Sequence, residues 1–290
     1  MTRAPRHSAA PEDSAAKLTP EELQRFCEYL YRRTGMTFGE SKRYYIDRRV
    51  ADRMQAVGDK SFRDYFGRLR SDGRELERAI NAFTVNETYF YREEHQLRCL
   101  SQSLLPRIVA GKQPGDRIRI WSNPCSTGEE AYSIAIWLLE NWPLVDAYNI
   151  EILGSDIDTE ALEEARIGLY GSRSVSRLSA KLVADYFEPR IEGVVQIIQD
   201  LRDSVAFSPV NLIDRTSMAG NGGFEIIFCR NVLIYFDEAA RRTAAEALFD
   251  CLRPGGFLLL GHSESMSRID DRFEPVRFED AVVYQRPEAA

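Results

Sequence analysis

The stretch "FEIIFCRN" (224–231) decides the fold class, because it is a short apolar run that ends abruptly on two polar residues, Arg230 and Asn231. A helical pattern follows over about 238–251, and a second apolar run, "GGFLLLG" (255–261), comes after it. Short buried strands separated by helices are typical of parallel crossover units. The sequence therefore predicts a parallel sheet here, with Arg230 and Asn231 at the carboxyl end of one strand.

The same alternation occurs earlier in the chain. "RIRIWS" (117–122) precedes a helical pattern over about 129–140, and "YNIEILGSD" (148–156) precedes another over about 159–167. The tail, "FEPVRFEDAVVYQRP" (273–287), contains two short strands that we expect to pair antiparallel at a sheet edge. The pattern predicts a doubly wound, Rossmann-like α/β domain.

Short alternating segments interrupt the crossover pattern over about 179–209, which predicts a small antiparallel β-subdomain inserted into the sheet domain.

The front third of the chain has helical spacing throughout. "TPEELQRFCEYLYRRTG" (19–35) begins with Thr19 as N-cap, Pro20 at the first helical position and Glu22 to complete a capping box. We expect an all-helical domain over 18–90 and the α/β domain over 91–290. Residues 1–17 are rich in Ala, Pro and Ser and are expected to form a disordered leader.

Composition narrows the class of protein. Of the 290 residues 44% are apolar, which is ordinary for a globular protein, and the five cysteines lack CxxC spacing. We therefore expect reduced thiols and find no support for a metal site. No signal peptide and no run of roughly 20 apolar residues is visible, so we expect a cytoplasmic protein without membrane insertion.

Charge is distributed unevenly. The net charge is -7, but residues 1–110 hold 20 Lys/Arg and 16 Asp/Glu. The remaining residues therefore hold 18 Lys/Arg and 29 Asp/Glu. A helix over about 41–57 carries Arg48, Arg49 and Arg53, which form either a solvated face or a docking surface for an acidic partner. A nucleic acid is disfavoured as partner, because a basic whole domain would then be expected.

Polar residues at the strand ends suggest a ligand site, because doubly wound sheets bind ligands there. The turn after the first strand has one glycine, Gly128, where a GxGxxG loop has three, which disfavours a pyrophosphate cofactor such as NAD. Asp156, at the end of the second strand, is placed to bind a ribose diol. Together they point to a nucleoside ligand without pyrophosphate, and S-adenosylmethionine fits that description.

Each of these residues also has a purely structural interpretation. Ser126 and Thr127 are each followed three residues later by a glutamate, so Glu129 or Glu130 could close a capping box. Asn231 could cap a helix, Arg230 could pair with an acid, and Tyr235 could belong to the core.

The polar and aromatic stretch "TVNETYFYRE" (84–93) lies at the domain junction. Junctions are where clefts form, but Asn86 and Thr88 could merely cap the next helix, and Arg92 could be a surface arginine.

Six motifs taken together resemble one family. They are, in chain order, "NETYFYRE" (86–93), "STGEEAYSIA" (126–135), "SDIDTEALEEAR" (155–166), "FSPVNL" (207–212), "FCRNVLIYFD" (228–237) and "LRPGGFLLLGHSES" (252–265). The chain resembles, over about 18–287, the CheR-type chemotaxis receptor methyltransferases, which are protein-glutamate O-methyltransferases. The resemblance implies S-adenosylmethionine as methyl donor and S-adenosylhomocysteine as product.

The resemblance also implies roles for particular residues. Those implied at the cofactor are Asn86, Thr88, Arg92, Glu130, Asp156, Asn211, Leu212, Arg230 and Asn231. Tyr235 is implied near the transferred methyl group and, with Arg92, is a candidate catalytic residue. If Ser126 caps with Glu129, Glu130 is left free for the cofactor.

The acceptor implied is a glutamate of a methyl-accepting chemoreceptor's cytoplasmic helical bundle. Since glutamate is already ionised at pH 7, it can attack the methyl group without a general base. The resemblance favours the docking role of Arg48, Arg49 and Arg53, since the modified sites are Glu-rich.

Family members that tether to a receptor's C-terminal pentapeptide have a Gly-rich extension in the β-subdomain. Here "YFEPRIEGVVQ" (186–196) is short, so we expect no pentapeptide tether and a monomeric enzyme. Two alternatives stay open: a class I methyltransferase with another acceptor, and a non-catalytic S-adenosylmethionine-binding signalling module.

Overall fold

The computed structural model describes residues 17–39 and 42–288. The leader predicted over 1–17 lies, except for Lys17, outside the described residues. None of the helices within this part of the chain is both long and apolar enough to cross a bilayer.

Twelve α-helices occur among the described residues. They are α1 (Pro20–Thr34), α2 (Arg43–Val57), α3 (Phe62–Ser71), α4 (Gly73–Phe83), α5 (Glu94–Cys99), α6 (Leu105–Val109), α7 (Glu129–Asn141), α8 (Thr159–Ile167), α9 (Ala180–Tyr186), α10 (Gln199–Ser204), α11 (Arg215–Met218) and α12 (Glu238–Cys251). A π-helical segment, Leu100–Leu104, joins α5 to α6.

Ten strands accompany them. They are β1 (Arg117–Ser122), β2 (Asn149–Asp156), β3 (Leu169–Gly171), β4 (Phe187–Pro189), β5 (Val194–Ile197), β6 (Val205–Pro209), β7 (Phe224–Cys229), β8 (Leu252–Leu260), β9 (Glu274–Arg277) and β10 (Val282–Gln285).

The front of the chain is all-helical, as predicted. The capping box of α1 is present, with Thr19 accepting from the Glu22 amide and the Glu22 carboxylate accepting from the Thr19 amide. The helices α1 to α4 pack around a shared apolar core that includes Phe26, Tyr65 and Phe83, each with at most 1% of its surface exposed.

The rest of the chain is built on a seven-stranded sheet in the order β6-β2-β1-β7-β8-β10-β9. Its first five strands are parallel, and β10 and β9 add an antiparallel pair at one edge, as the tail sequence predicted. The helices α7 and α12 cover opposite faces and contribute to two separate apolar clusters. The doubly wound α/β prediction is confirmed.

The small antiparallel β-subdomain is also present, but its bounds differ from the prediction. It is a three-stranded sheet in the order β3-β5-β4, so Leu169–Gly171, before the predicted insertion, contributes an edge strand. Conversely, β6 pairs with β2 in the main sheet, although the prediction over 179–209 had placed it in the insertion. Segments this short do not reveal from sequence which sheet they join.

Candidate functional site

One cavity of about 120 Å³ lies at the carboxyl ends of β1, β2 and β7. It is closed by the segment over 84–93 that links the helical part to the sheet part, which we call the linking segment. Its lining includes every residue that the sequence analysis singled out for cofactor binding or catalysis: Asn86, Thr88, Arg92, Glu130, Asp156, Asn211, Leu212, Arg230, Asn231 and Tyr235. Parallel strands bring residues far apart in sequence to one sheet edge.

Asp156 ends β2 with its side chain almost fully buried. One carboxylate oxygen accepts from the amide of Ser126 at 2.8 Å and the other from the amide of Asp158 at 2.9 Å. Burial raises the pKa of Asp156 to about 6, although these amide hydrogen bonds act in the opposite direction. The two amides fix the carboxylate's orientation at the cavity wall.

Arg230 and Glu130 form a buried ion pair. The Arg230 side chain is only 3% exposed and places Nη1 2.7 Å from Glu130 Oε2. Its Nη2 donates to the backbone carbonyl of Arg92 at 2.8 Å and lies 3.3 Å from Glu93 Oε2. Glu130 also accepts from the Ser122 hydroxyl at 2.7 Å, so it takes no part in a capping box, but both of its carboxylate oxygens have partners within the protein. This pair joins β7 to the first turn of α7.

The predicted capping box between Ser126 and Glu129 is wrong. The N-cap of α7 is Gly128, in the left-handed region at φ 93°, and no side chain caps the helix. Glu129 instead accepts from the hydroxyls of Thr127 at 2.6 Å and Ser174 at 2.6 Å. The α7 N-terminus thus has the tight glycine turn that the sequence showed, without the side-chain cap.

The linking segment attaches to the sheet part through Asp158, the N-cap of α8. Asn86 donates to Asp158 Oδ2 at 2.7 Å and accepts from the Ser126 hydroxyl at 3.2 Å, while Thr84 donates to the same carboxylate at 2.5 Å. Asn86 and Thr88 do not cap α5, whose N-cap position is Glu93. The segment is therefore fastened across the cavity mouth by side-chain hydrogen bonds.

Backbone strain is concentrated around this cavity. Within 17–39 and 42–288, the non-glycine residues with positive φ are Tyr91, Glu93, Ser126 and Asn231, at 50° to 59°. Such conformations each cost on the order of 1–3 kcal/mol and cluster at functional sites.

Glu264, which the sequence analysis did not single out, holds the loop after β7. Its carboxylate accepts from the amides of Asn231 at 2.7 Å, Leu233 at 2.8 Å and Gly261 at 2.9 Å. The only sequence signal was its place in "LGHSES", after an apolar strand. Glu264 orients the segment that carries Asn231 and Tyr235.

Contacts with the helical part hold Tyr235. Its backbone carbonyl accepts from the amide of Thr37 at 2.9 Å and from the Thr37 hydroxyl at 3.1 Å, and Met36 forms a β-bridge with Phe236. The Lys42 ammonium, next to α2, lies 5.5 Å from the centre of the Tyr235 ring. The Tyr235 ring thus lies where the two parts of the chain meet.

The three docking candidates on α2 differ in environment. Arg48 is exposed, and the Arg49 guanidinium lies 4.9 Å above the Tyr45 ring. Arg53 instead makes a two-bond ion pair with buried Glu75, at 3.0 and 2.6 Å. Arg53 therefore serves the helical core, and the docking prediction is left with Arg48 and Arg49.

Comparison with known proteins adds an independent line of evidence. Residues 86–282 match the model described as "CheR methyltransferase, SAM binding domain", and residues 21–84 match "CheR methyltransferase, all-alpha domain". The chain is 47% identical over 272 residues to chemotaxis protein methyltransferase 2 of Vibrio cholerae, covering 93% of this chain and 94% of that protein. It is 35% identical to the chemotaxis protein methyltransferase of Salmonella typhimurium, with 88% of each covered.

Proposed function

The chain belongs to the CheR methyltransferase family, and from this membership we propose that it transfers the methyl group of S-adenosylmethionine to glutamate side chains of chemoreceptors, forming glutamyl methyl esters. The observation that carries the proposal is the convergence of Arg92, Asp156, Arg230 and Tyr235 on one cavity between the helical and sheet parts. A cytoplasmic location follows from an acceptor in the receptors' cytoplasmic bundle.

The cavity fits S-adenosylmethionine chemically. Among the described residues two buried nitrogens at its wall, Asn123 Nδ2 and Arg230 Nε, have no hydrogen-bond partner, and both are donors. Asp156 offers carboxylate oxygens suited to a ribose diol, and Glu130 and Arg230 suit the polar groups of the adenosine and amino-acid ends. The buried side chain of Leu212 adds an apolar surface for a base.

The protein's task in catalysis is to orient and desolvate the acceptor. S-adenosylmethionine supplies an electrophilic methyl group on a positively charged sulfur. The glutamate needs no general base, because its carboxylate is ionised at neutral pH. Accurate positioning therefore has to supply much of the acceleration.

Arg92 and Tyr235 are the residues assigned to this positioning. The Arg92 guanidinium is half-buried, donates through Nη1 to the Glu87 carbonyl at 2.6 Å and lies 5.8 Å from the centre of the Tyr89 ring. Its other N–H groups can bind a carboxylate with a charge-assisted hydrogen bond. Burial raises the pKa of Tyr235, so its hydroxyl stays protonated and able to donate.

Docking of the receptor bundle is assigned to α2. The Arg49 guanidinium lies 4.9 Å from the centre of the Tyr45 ring, and Arg48 is exposed on the same helix. Complementary charge of this kind steers encounter and fixes register. We propose a monomer that uses this surface without a pentapeptide tether. The connection between β4 and β5 has only four residues, Arg190 to Gly193. A micromolar complex with a receptor C-terminal pentapeptide would contradict the untethered assignment.

The first test is a calorimetric titration with S-adenosylhomocysteine of the wild type, Asp156→Ala and the matched surface variant Asp146→Ala. We expect micromolar binding by the wild type and Asp146→Ala, and none by Asp156→Ala. Absence of binding by the folded wild type would refute the proposal.

The second test is methyl transfer to receptor cytoplasmic fragments. A glutamyl ester releases methanol in alkali, whereas a base-stable product would indicate a methyltransferase with another acceptor. Binding without any transfer would indicate a signalling module.

A further inference from the structure

A second cavity, of about 380 Å³, adjoins the first on the side of the helical part. The two cavities share Met36, Val85 and Tyr235 in their linings. The remaining lining residues are Thr37, Phe38, Lys42, Tyr44, Tyr45 and Phe83. We call this second cavity the aromatic groove. It leads from the surface beside α2 to the Tyr235 ring.

The described residues that line the groove are mostly apolar, and Lys42 is the charged residue among them. Side chains that line it stay unusually exposed for their type, since Tyr44 is 72% and Val85 is 53% exposed. Exposed apolar groups that are contiguous with a functional cavity mark binding surfaces. The Lys42 ammonium lies between the Phe38 and Tyr235 rings, 5.9 Å and 5.5 Å from their centres. The occupant should therefore combine an apolar group with a nearby negative charge.

We propose that the aromatic groove seats an apolar side chain of the receptor helix one turn from the methyl-accepting glutamate, while Lys42 guides that glutamate toward Tyr235. This inference rests on the proposed function. Residues three or four apart on a helix have Cβ atoms about 5–6 Å apart and lie on one face. One such pair can occupy the groove and the Tyr235 end of the first cavity together. Tyr45, which lines the groove, also lies beneath the Arg49 guanidinium, so the groove adjoins one of the two docking candidates on α2.

Acceptor specificity then has two parts. The charges of Arg48 and Arg49 act on any acidic bundle. The groove instead favours those glutamates of the bundle that have an apolar neighbour on the same helix face. An acceptor with a polar residue at that position would leave the aromatic lining exposed to water and bind more weakly.

The test compares Tyr44→Ser and Lys42→Glu with Lys60→Glu. Tyr44 and Lys42 are exposed, so their substitution leaves the core intact. Lys60 is an exposed lysine beyond the far end of α2, about 22 Å along the helix, and its variant changes charge by the same amount. The substrates are a receptor cytoplasmic fragment that the wild type methylates and helical peptides with one glutamate and either Leu or Gln four positions away.

We expect KM for the receptor fragment to rise roughly tenfold in Tyr44→Ser and Lys42→Glu, with S-adenosylhomocysteine affinity unchanged and Lys60→Glu like the wild type. The wild type should favour the Leu peptide about tenfold in kcat/KM, and Tyr44→Ser should reduce that preference. If the wild type methylates the receptor fragment, all variants have the same KM and both peptides are used equally, the inference about the groove is overturned and the proposed function is not. Failure of the wild type to form any ester would overturn the proposed function and this inference with it.

Discussion

Replacing Arg230 with methionine tests whether the buried ion pair organises the site. The variant keeps the length and the apolar stem of the side chain but removes the cation that faces Glu130 at 2.7 Å and Glu93 at 3.3 Å. Both carboxylates are largely buried, at 13% and 12% exposure. Removing one partner of such a pair costs about 3–5 kcal/mol, because it leaves uncompensated buried charge. For a domain of this size that corresponds to a Tm lower by roughly 10 °C.

The assay is chemical and thermal unfolding without ligand. Arg242→Met is the matched control, because Arg242 pairs with Glu238 at the surface of α12 with 60% of its side chain exposed. Exposed pairs contribute about 0–1 kcal/mol, so this variant should unfold like the wild type. The double variant Glu130→Gln/Arg230→Met should regain part of the loss. An Arg230→Met protein within about 1 kcal/mol of the wild type would refute the reasoning.

Three further predictions concern binding and turnover. Burial raises the pKa of Asp156 from 3.8 to about 6, so its protonation should favour the ligand-free fold fully below pH 3.8, and this contribution should be lost as the pH rises from there through about 6. S-adenosylhomocysteine binding needs the ionised Asp156 carboxylate, so the affinity should instead fall as the pH drops below about 6. In Asp156→Asn the affinity measured by calorimetry should not change over this pH range. Arg92→Ala and Tyr235→Phe should each lower kcat about 10- to 100-fold, with S-adenosylhomocysteine affinity unchanged in Tyr235→Phe. A lower affinity in Arg92→Ala would assign its guanidinium to the carboxylate of the cofactor, an unchanged one to that of the substrate, and unchanged turnover in both variants would contradict their assignment. Charge reversal at Arg48 and Arg49 should raise KM for receptor fragments without changing Tm, whereas Arg53→Glu should lower Tm, because it places two carboxylates together at Glu75.

The sequence was sufficient for the elements whose pattern is local. The capping box of α1, the strand over 117–122 and the helices over 159–167 and 238–251 follow from cap residues and hydrophobic period alone. The small sheet was not predictable in the same way. Its strands have three or four residues, and the choice between two sheets depends on packing that periodicity does not encode.

At the site, the sequence predicted which residues converge but not how they pair. The apolar runs placed Asp156 and Arg230 at strand ends, and a parallel sheet brings such ends together. The sequence offered Glu130 no partner, because the local capping residue Ser126 was matched to its neighbour Glu129. The actual partner of Glu130 lies 100 residues away, and Gly128 replaces the side-chain cap. The sequence analysis missed Glu264 because its hydrogen-bond donors are backbone amides, which no side-chain pattern reveals.

The helical part of the chain holds one wall of the first cavity. Thr37 holds the Tyr235 carbonyl through two hydrogen bonds, Asn211 donates to the Arg33 carbonyl at 2.6 Å, and Asn86 binds Asp158. The first two contacts join the helical part to the sheet part through backbone carbonyls, and the third fastens the linking segment to the N-cap of α8, so all three fix position without adding charge to the cavity. The distance of Tyr235 from the helical part is therefore set by the fold itself. Since misplacement by about 1 Å can cost 10²-fold in rate, a fixed Tyr235 supports the proposed transfer to an ionised glutamate that needs no general base.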